Sequence, residues 1–540
     1  MTGLTEACVP GAHNETMNPR TVALVAALAA SIPSAAAVYD VGPGQPYTAI
    51  GEVPWESLGP GDEVRIHWRS EPYREKWVIC RRGTEAEPIV VRGVPSSSGE
   101  RPVVSGDGAT TRRALDFWNE ERGLLKIGGA SVPADTLPAW IVVEGIEFRS
   151  ARPAYAFTGD DGSSRTYASN AAAIYVEKAQ HLVIRDCVLT DSGNGLFIGA
   201  YSGQTQEILI QANRIEGNGI EGSYYEHNTY TSARGIIYEL NLLWPLRDGC
   251  GGNNLKDRSA GLVVRCNWIE GGNRQLDLVD AEDSDAVAAD PRYHETFVWG
   301  NVLIERADEG NSQIVHYGGD SGDTSIYRKG TLYFFHNTVI SRRAGNTTLL
   351  RLSTNDEHAD IRNTVVRTTV SGPHLALLAS NGTALLTHCW LPTGWVTSHD
   401  AFSGTLTDDA TSISGNDPGF ADEGGGDYRP GAGSPLVDAG GPLPPAALPT
   451  QAPVFEYVPN LGWRNRPFDG VPDTGAFEAG SPPCGDTDGD GHVTPADLAA
   501  WLRWRFPGAV PAGELDCDGS GSDDAPDLAW ILPAAWGLPR

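Results

Sequence analysis

The sequence predicts an all-β protein built as a right-handed parallel β-helix, a solenoid of stacked coils. Its main signal is an asparagine that recurs after a short apolar or β-branched run, at separations of 28, 26, 34, 36 and 26 residues. One β segment per period of this length is typical of a solenoid, because no coil can bury its apolar face alone. The recurring asparagines are Asn213, Asn241, Asn267, Asn301, Asn337 and Asn363.

Asparagines at the same corner of successive coils are expected to stack and to hydrogen-bond to the coils above and below. Asn also tolerates the left-handed backbone conformation that a sharp corner requires. Cys187 stands at the equivalent place one coil before Asn213, where a thiol packs as a small apolar side chain. The two longest separations indicate insertions, one of which is AEDSDAVAADPRYHE at 281–295.

The N-terminal residues have the character of a secretion signal. From Met17 the chain reads MNPRTVALVAALAASIPSAAA, with a short basic region, an apolar stretch and small residues near Ala37. We predict a leader over residues 1–37 with Met17 as the true start; the alternative is an unusually long basic region. No other apolar run reaches the ~18 residues that span a bilayer. The predicted location is outside a bacterial cell or on its surface.

The net charge limits the kinds of partner that the chain can bind. The net charge of −29 argues against nucleic acid or an anionic membrane as partner. An acidic substrate would need a local cationic patch or a bound metal.

Seven cysteines follow the leader, and an odd number leaves at least one thiol free. Cys250 and Cys266 are close enough in sequence to be candidates for a disulfide.

Residues 38–480 are predicted to form the β-helix, with an entry segment up to about residue 135. The runs PGDEV, PYREK and GTEAEPIVVRG at 60–93 resemble the N-terminal entry of pectate-lyase-like β-helix proteins. The runs SPLVDAG, GWRNRP and DTGAFE at 434–478 resemble the closing segment of many β-helix proteins. This resemblance to the polysaccharide lyase superfamily covers residues 40–480 and implies a polysaccharide substrate.

Residues 481–540 differ in composition and are predicted to be a separate module with two twelve-residue loops, DTDGDGHVTPAD and DCDGSGSDDAPD. Calcium requires six to eight oxygen ligands around a sharp glycine turn, which this spacing supplies. The pair resembles a dockerin, which implies a cohesin-type or cell-surface partner; the alternative is an acidic tail that binds no metal. The predicted Ca²⁺ ligands are Asp486, Asp488, Asp490, Thr494, Asp497, Asp516, Asp518, Ser520, Asp524 and Asp527.

The repeat also places polar residues on one face of one predicted sheet. Asn228 and Asn254 both precede a recurring asparagine by 13 residues, so they should stack on adjacent strands. Alternation around inward-facing leucines then directs four further side chains outward. We expect the strand to end near Lys256, so that Asp257 does not turn inward. The predicted outward stripe is His227, Asn228, Asn254, Lys256, Asp277, His316 and Arg351.

This mixture of residues suits β-elimination from a uronate, in which a cation neutralises the carboxylate and a base removes the neighbouring proton. Lys256 would be the base, its pKa lowered by nearby arginines, and a histidine would be the acid. The predicted catalytic residues are Lys256, Arg258, Arg274, His227 and His316. Substrate binding is assigned to Asn228, Asn254 and Arg351, and a second Ca²⁺ site to Glu226, Asp277 and Asp280.

The leading hypothesis is therefore a secreted lyase that acts on acidic polysaccharide. A glycoside hydrolase is the nearest alternative and would need two carboxylates about 5–9.5 Å apart. Asp277 and Asp280 weaken that alternative because alternation sends them to opposite faces of a regular strand. A non-catalytic carbohydrate-binding or adhesion protein is the third hypothesis, since a polar outward stripe is also typical of a solvated face and fold alone does not give function.

Overall fold

The chain forms a parallel β-helix in the computed structural model, which describes residues 36–307, 309–458, 462–468 and 470–480. Each central coil contributes one strand to each of three sheets, and neighbouring coils pair in parallel. The predicted parallel β-helix is confirmed for these residues. The leader up to residue 35 and the module at 481–540, with both calcium loops, lie outside the described residues.

Sheet 1 has thirteen strands in chain order. They are Val38–Val41, Glu63–His67, Ile89–Val94, Ala139–Glu144, Gln180–Arg185, Gln206–Gln211, Arg234–Glu239, Ala260–Arg265, Glu295–Trp299, Thr331–Phe335, His358–Arg362, Thr383–Thr387 and Thr405–Asp408. Sheet 2 has eleven strands. They are Val103–Ser105, Glu147–Arg149, Val188–Thr190, Arg214–Glu216, Leu242–Leu243, Trp268–Glu270, Val302–Glu305, Thr338–Ser341, Val365–Thr368, Trp390–Pro392 and Ile413–Gly415.

Sheet 3 also has thirteen strands, the first of which pairs antiparallel. In spatial order they are Ser164–Thr166, Ala156–Thr158, Ala109–Thr111, Glu75–Ile79, Gly123–Ile127, Ala172–Val176, Asn194–Ile198, Thr229–Thr231, Leu255–Asp257, Leu276–Leu278, Gln313–Tyr317, Thr347–Leu352 and Leu375–Leu378. Three two-stranded antiparallel pairs complete the described strands: Asp116–Phe117 with Ala130–Val132, Phe420–Asp422 with Asp427–Pro430, and Phe455–Val458 with Gly462–Asn465.

Alternate residues of each strand point into the coil and stack in columns along the solenoid. In sheet 1, for example, Ile208 pairs with Ile236 and Ile236 with Leu262, and all three are buried. Full burial of such a side chain stabilises the fold by about 1.5–3 kcal/mol. The core therefore runs as one continuous column, and no coil can be removed without exposing its neighbours.

Five of the six recurring asparagines form a hydrogen-bonded ladder at the corner between sheets 1 and 2. The side-chain Nδ2 of each donates to Oδ1 of the next, at 3.1, 2.9, 3.0 and 3.0 Å from Asn213 to Asn337. The backbone N–H of Cys187 donates to Asn213 Oδ1 at 3.0 Å. Both the predicted stacking and the predicted place of Cys187 are confirmed.

Asn363 is not a member of this ladder. The next ladder position belongs to Thr364, whose Oγ1 accepts the Asn337 N–H at 3.4 Å, while Asn363 bonds His336 and Gly441. The left-handed backbone conformation is found at the residue before the ladder asparagine, not at the asparagine itself. Leu240, before Asn241, has φ 61°, and His336, before Asn337, has φ 50°. Asn363 occupies this earlier position with φ 50°, because asparagine tolerates that conformation.

Short helices occupy connections between strands. The predicted insertion at 281–295 contains an α-helix, Asp285–Ala288, whose N-cap Ser284 accepts the Val287 N–H. The 3₁₀ turns are Ile50–Glu52, Glu120–Arg122, Pro291–His294 and Pro445–Ala447. Among the described residues no helix has the length and apolar character of a membrane span.

All five cysteines in the described part of the chain are free. The Cys250–Cys266 disulfide considered from the sequence is therefore not formed. Cys266 is buried at a coil corner, where its thiol donates to the Phe455 carbonyl at 3.4 Å. This contact joins the closing segment to the body of the β-helix.

We expect Asn267→Ala to lower the free energy of unfolding by about 2–3 kcal/mol, because it leaves buried donors without partners. Its Oδ1 accepts the Asn241 N–H at 2.9 Å, and its Nδ2 donates to Asn301 at 3.0 Å. The measurement is the urea midpoint of unfolding. Asn416→Ala is the control, since Asn416 is exposed, and an equal loss in both variants would contradict a special role for the ladder.

Candidate active site

One row of side chains points outward from sheet 3 across five consecutive coils. The strand register pairs Tyr230 with Lys256, Lys256 with Asp277, Asp277 with His316, and His316 with Arg351. We call these five residues the outward row. Four of them were predicted to point outward together, and the register brings them together. Neighbouring strands lie about 4.8 Å apart, so successive side chains of the row can touch.

Two carboxylates hold the ammonium group of Lys256. Its Nζ lies 3.1 Å from Asp277 Oδ2 and 2.5 Å from Asp320 Oδ2, and its side chain is 10% exposed. Arg258, expected beside Lys256, directs its guanidinium to Asp320 at 2.9 Å and to Glu282 at 2.7 Å. The immediate partners of Lys256 are therefore acidic. Arg258 and Arg274, the cations predicted near it, share those carboxylates with it.

Asp277 is the buried centre of the row. Oδ1 accepts from His316 Nδ1 at 2.8 Å, and Oδ2 accepts from Asn253 Nδ2 at 2.8 Å. Burial alone would raise the pKa of Asp277. The hydrogen bond from His316 and the charges of Lys256 and Arg274 outweigh burial and hold that pKa well below its usual range. Asp277 is consequently ionised at neutral pH.

His316 connects Asp277 to Ser353. Its Nε2 lies 2.9 Å from Ser353 Oγ, so the order Asp277, His316, Ser353 is that of a hydrolase triad. The serine hydroxyl, however, accepts the Gly319 N–H at 2.9 Å and lies 3.0 Å from the Gly319 carbonyl. Ser353 therefore anchors the loop that carries Asp320. Burial lowers the pKa of His316, against the opposing effect of Asp277.

Asp320 was missed by sequence reasoning. It follows Gly318 and Gly319 directly after the strand Gln313–Tyr317, and its backbone N–H donates to Asp280 Oδ1 at 2.8 Å. Gly318 has φ 134°, and a Cβ on Gly319 would lie 2.1 Å from a ring atom of Tyr327. The run HYGGD was the available signal, because paired glycines after a strand mark a tight turn back over its end.

His227 does not fit the acid role predicted for it. It is 2% exposed, and its Nδ1 accepts the Asn253 N–H at 2.9 Å. Burial and the positive charge of Lys256 lower the pKa of His227 to about 3. The imidazolium form is therefore absent at neutral pH, and that prediction is wrong.

Asn228 and Asn254 do stack as predicted, but inside the coil. Both are fully buried, and Asn228 Nδ2 donates to Asn254 Oδ1 at 2.9 Å. Asn218 extends this second ladder by donating to Asn228 Oδ1 at 3.0 Å. The strands begin only at Thr229 and Leu255, so alternation does not apply to the corner before them. The prediction that these asparagines bind substrate is wrong.

Asp257 also departs from expectation, since its strand runs through it and turns it inward. The carboxylate accepts Thr231 Oγ1 at 2.7 Å and the Ser259 N–H at 2.7 Å, and pairs with Arg328 at 3.3 Å. A buried carboxylate is tolerated when it is paired and hydrogen-bonded in this way. Burial nevertheless raises the pKa of Asp257.

The second calcium site predicted at Glu226, Asp277 and Asp280 is not formed. Within the described ranges no three His, Cys, Asp or Glu side chains are grouped as metal ligands. Asp277 is occupied by Lys256, and Asp280 accepts from Arg258 Nη1 at 3.3 Å. Protein cations thus neutralise two of the three carboxylates that were assigned to a metal, Asp277 and Asp280.

Two arginines complete the face. Arg274 donates to Gln313 Oε1 at 2.7 Å and lies 3.6 Å from Asp277; burial lowers its pKa despite that carboxylate. Arg351 ends the outward row with an exposed side chain. In the part of the chain that the structure describes, Arg351 has no ion pair, so its guanidinium is available to an anion.

Comparisons with known proteins give similarities of structure alone. No protein-family profile and no curated protein sequence matches the chain. Pectate lyase Pel9A superposes with a TM-score of 0.44 at 12% identity, over 82% of this chain and 97% of that one. Alginate lyase from Paenibacillus sp. str. FPU-7 gives 0.39 at 11%, over 65% and 93%. GH136 lacto-N-biosidase from Eubacterium ramulus gives 0.38 at 10%, over 71% and 68%.

We expect His227→Gln to make folding stability less sensitive to acid. The folded-state pKa of His227 is about 3, against 6.5 ordinarily. Between these values only the unfolded chain binds the proton, so stability falls as pH drops from about 6.5 towards 3, by up to about 1.4 kcal/mol per pH unit. Glutamine removes this loss.

The measurement is the urea midpoint of this variant as a function of pH. His358→Gln serves as the control because His358 is exposed, and it should retain the steep fall. Parallel pH profiles for wild type and His227→Gln would contradict the assignment.

Proposed function

We propose that the protein is a lyase that cleaves uronate-containing polysaccharide by β-elimination. The observation that carries the proposal is that Arg274 and Arg351 lie on the same outward face as Lys256, in a chain whose net charge is −29. An acidic polymer is repelled by the chain as a whole, and cations at one place offset that repulsion. The same cations can stabilise the charge that develops on a uronate carboxylate during elimination.

The reaction requires four linked changes. A base takes the proton from the carbon beside the carboxylate, and the electron pair of that C–H bond forms a C=C double bond. The C–O bond to the leaving sugar breaks, and the leaving oxygen takes up the proton that Asp320 has received from Lys256, which restores both side chains. Cations that neutralise the carboxylate make the first change easier because they stabilise the enolate-like charge.

Lys256 and Asp320 are the proton-transfer pair in this proposal. Their 2.5 Å contact lets a proton pass from the ammonium to the carboxylate, which leaves a neutral amine as base. A bound substrate removes water from the pair, and desolvation favours its neutral form. Asp277 stays ionised and fixes the position of Lys256 from the other side. Arg274 faces the substrate carboxylate at the reaction centre, and Arg351, three strands from Lys256, binds a carboxylate further along the substrate chain.

The chain is further proposed to be exported and to bind Ca²⁺ through its C-terminal module, which would dock to a cohesin-type or cell-surface partner. Support comes from the leader-like residues 1–37 and from the spacing of oxygen ligands in the two loops at 486–497 and 516–527.

Lys256→Ala and Lys256→Arg should lower the rate of elimination about 10²–10⁴-fold, because proton transfer by a positioned group contributes that much. The arginine variant keeps the cation between Asp277 and Asp320 and so separates catalysis from folding. The assay follows ultraviolet absorbance of the new C=C bond on a panel of uronate polysaccharides.

Lys329→Ala is the control for this assay, since Lys329 is exposed and its ion pair within the described residues is with Asp356. It should retain full activity. A folded wild-type chain that generates no absorbance on any uronate polysaccharide would contradict the lyase proposal. An active Lys256→Arg variant would remove Lys256 from the role of base.

A glycoside hydrolase is a second candidate because the structure pairs Asp277 with Asp320 across Lys256. The two contacts, 3.1 and 2.5 Å, place those carboxylate oxygens less than about 6 Å apart, near the spacing of retaining enzymes. The pKa of both carboxyls is lowered in the free protein, so a general acid here, like the proton acceptor of the lyase, requires bound substrate to raise the pKa of Asp320 by desolvation.

Reducing ends and ultraviolet absorbance recorded together distinguish the two candidates, and Asp320→Asn tests the role of Asp320 in either one. A lyase gives both signals in equal amount, and the variant loses both in step. A hydrolase gives reducing ends without absorbance, and Asp320→Asn then abolishes them. Reducing ends without absorbance in the wild type would favour the hydrolase.

A further inference from the structure

An aromatic stack continues the outward row beyond Tyr230. The register pairs Tyr230 with Phe197, Phe197 with Tyr175, and Tyr175 with Lys126. The rings of Tyr175 and Phe197 stack at 4.8 Å and 4°, and those of Phe197 and Tyr230 at 5.5 Å and 12°. Phe197 and Tyr230 are partly exposed, so their edges form an apolar strip beside the charged residues.

Arg122 lies over this aromatic stack without an anionic partner. Its Cζ is 4.8 Å from the ring centroid of Tyr175 and 5.0 Å from that of Phe197. Its Nε is buried and has no hydrogen-bond partner. Within the described ranges no carboxylate pairs with it, whereas nearby Arg165 pairs with Glu120 at 2.8 Å. A cation–π contact holds the guanidinium in place. Because Nε is buried, the two terminal amino groups are the donors that an external acceptor can reach.

We propose that Arg122 binds a carboxylate of an acidic sugar residue remote from the reaction centre, so that the substrate runs along sheet 3 between Arg351 and Arg122. The inference rests on the proposed function for its substrate class, acidic polysaccharide. Phe197 and Tyr175 lie two and three strands from Lys256, which places Arg122 roughly 10–14 Å away along the solenoid.

The chemistry of the strip agrees with this path. A bidentate guanidinium matches a carboxylate in geometry and charge. The exposed ring edges of Phe197 and Tyr230 offer apolar contact to the C–H faces of sugar rings between the two arginines. A short oligosaccharide at Lys256 does not reach Arg122, whereas a longer one does. Arg122 is therefore expected to set a preference for chain length.

The test measures calorimetric binding of a uronate trisaccharide and hexasaccharide in the Lys256→Ala background, which removes turnover. Arg122→Gln should weaken hexasaccharide binding about tenfold or more, the loss of a charge-assisted bond, and leave trisaccharide binding unchanged. Arg149→Gln is the matched control because Arg149 lies on sheet 2 and should change neither. Arg122→Lys keeps a cation over the rings and should give a smaller loss.

Unchanged hexasaccharide binding in a folded Arg122→Gln variant would overturn the inference, and so would equal weakening of both lengths. If Arg122→Gln does not fold, the lysine variant decides, and wild-type affinity for the hexasaccharide would count against Arg122. A wild-type chain that binds acidic oligosaccharide without cleaving it would sink the lyase proposal and leave Arg122 assigned. Failure to bind any acidic oligosaccharide would overturn the Arg122 assignment.

Discussion

The stacking of equivalent residues on successive coils is the constraint on which the rest of this structure depends. Parallel strands about 4.8 Å apart give every residue a counterpart on the coil above and the coil below. At the coil corners the backbone N–H and C=O groups are buried but no longer pair within a sheet. Leaving such groups unpaired costs about 1–3 kcal/mol each. Two asparagine ladders prevent that cost, one from Asn213 to Asn337 and one through Asn218, Asn228 and Asn254.

The same constraint shapes the charged face. Like charges stacked one strand apart repel each other, so a row of cations could not be built on adjacent coils without compensation. The outward row instead places anionic Asp277 between Lys256 and His316, and His316 before Arg351. Asp320 then adds a second carboxylate to Lys256 from a loop.

Period-two alternation was reliable within the paired strands and failed at the coil corner before them. It placed Lys256, Asp277, His316 and Arg351 on one face because those residues lie within paired strands. It failed at Asn254, one residue before its strand begins. At Asp257 alternation was right and the expected strand end was wrong, because local hydrogen bonds make burial of that carboxylate tolerable. Asp320 lies 64 residues from Lys256, and a contact made by a loop over that distance has no periodic signal.

The charged face carries two kinds of cation: those neutralised by a neighbouring carboxylate and those that are not. Lys256 is already neutralised by Asp277 and Asp320, and those carboxylates would repel the carboxylate of a uronate at the reaction centre. Affinity for an acidic chain must therefore come from arginines whose charge is not compensated, which in the described residues of this face are Arg351 and Arg122. This arrangement suits catalysis. The binding energy gained at the two remote arginines offsets the repulsion between the substrate carboxylate and the carboxylates of Asp277 and Asp320 where the proton is removed.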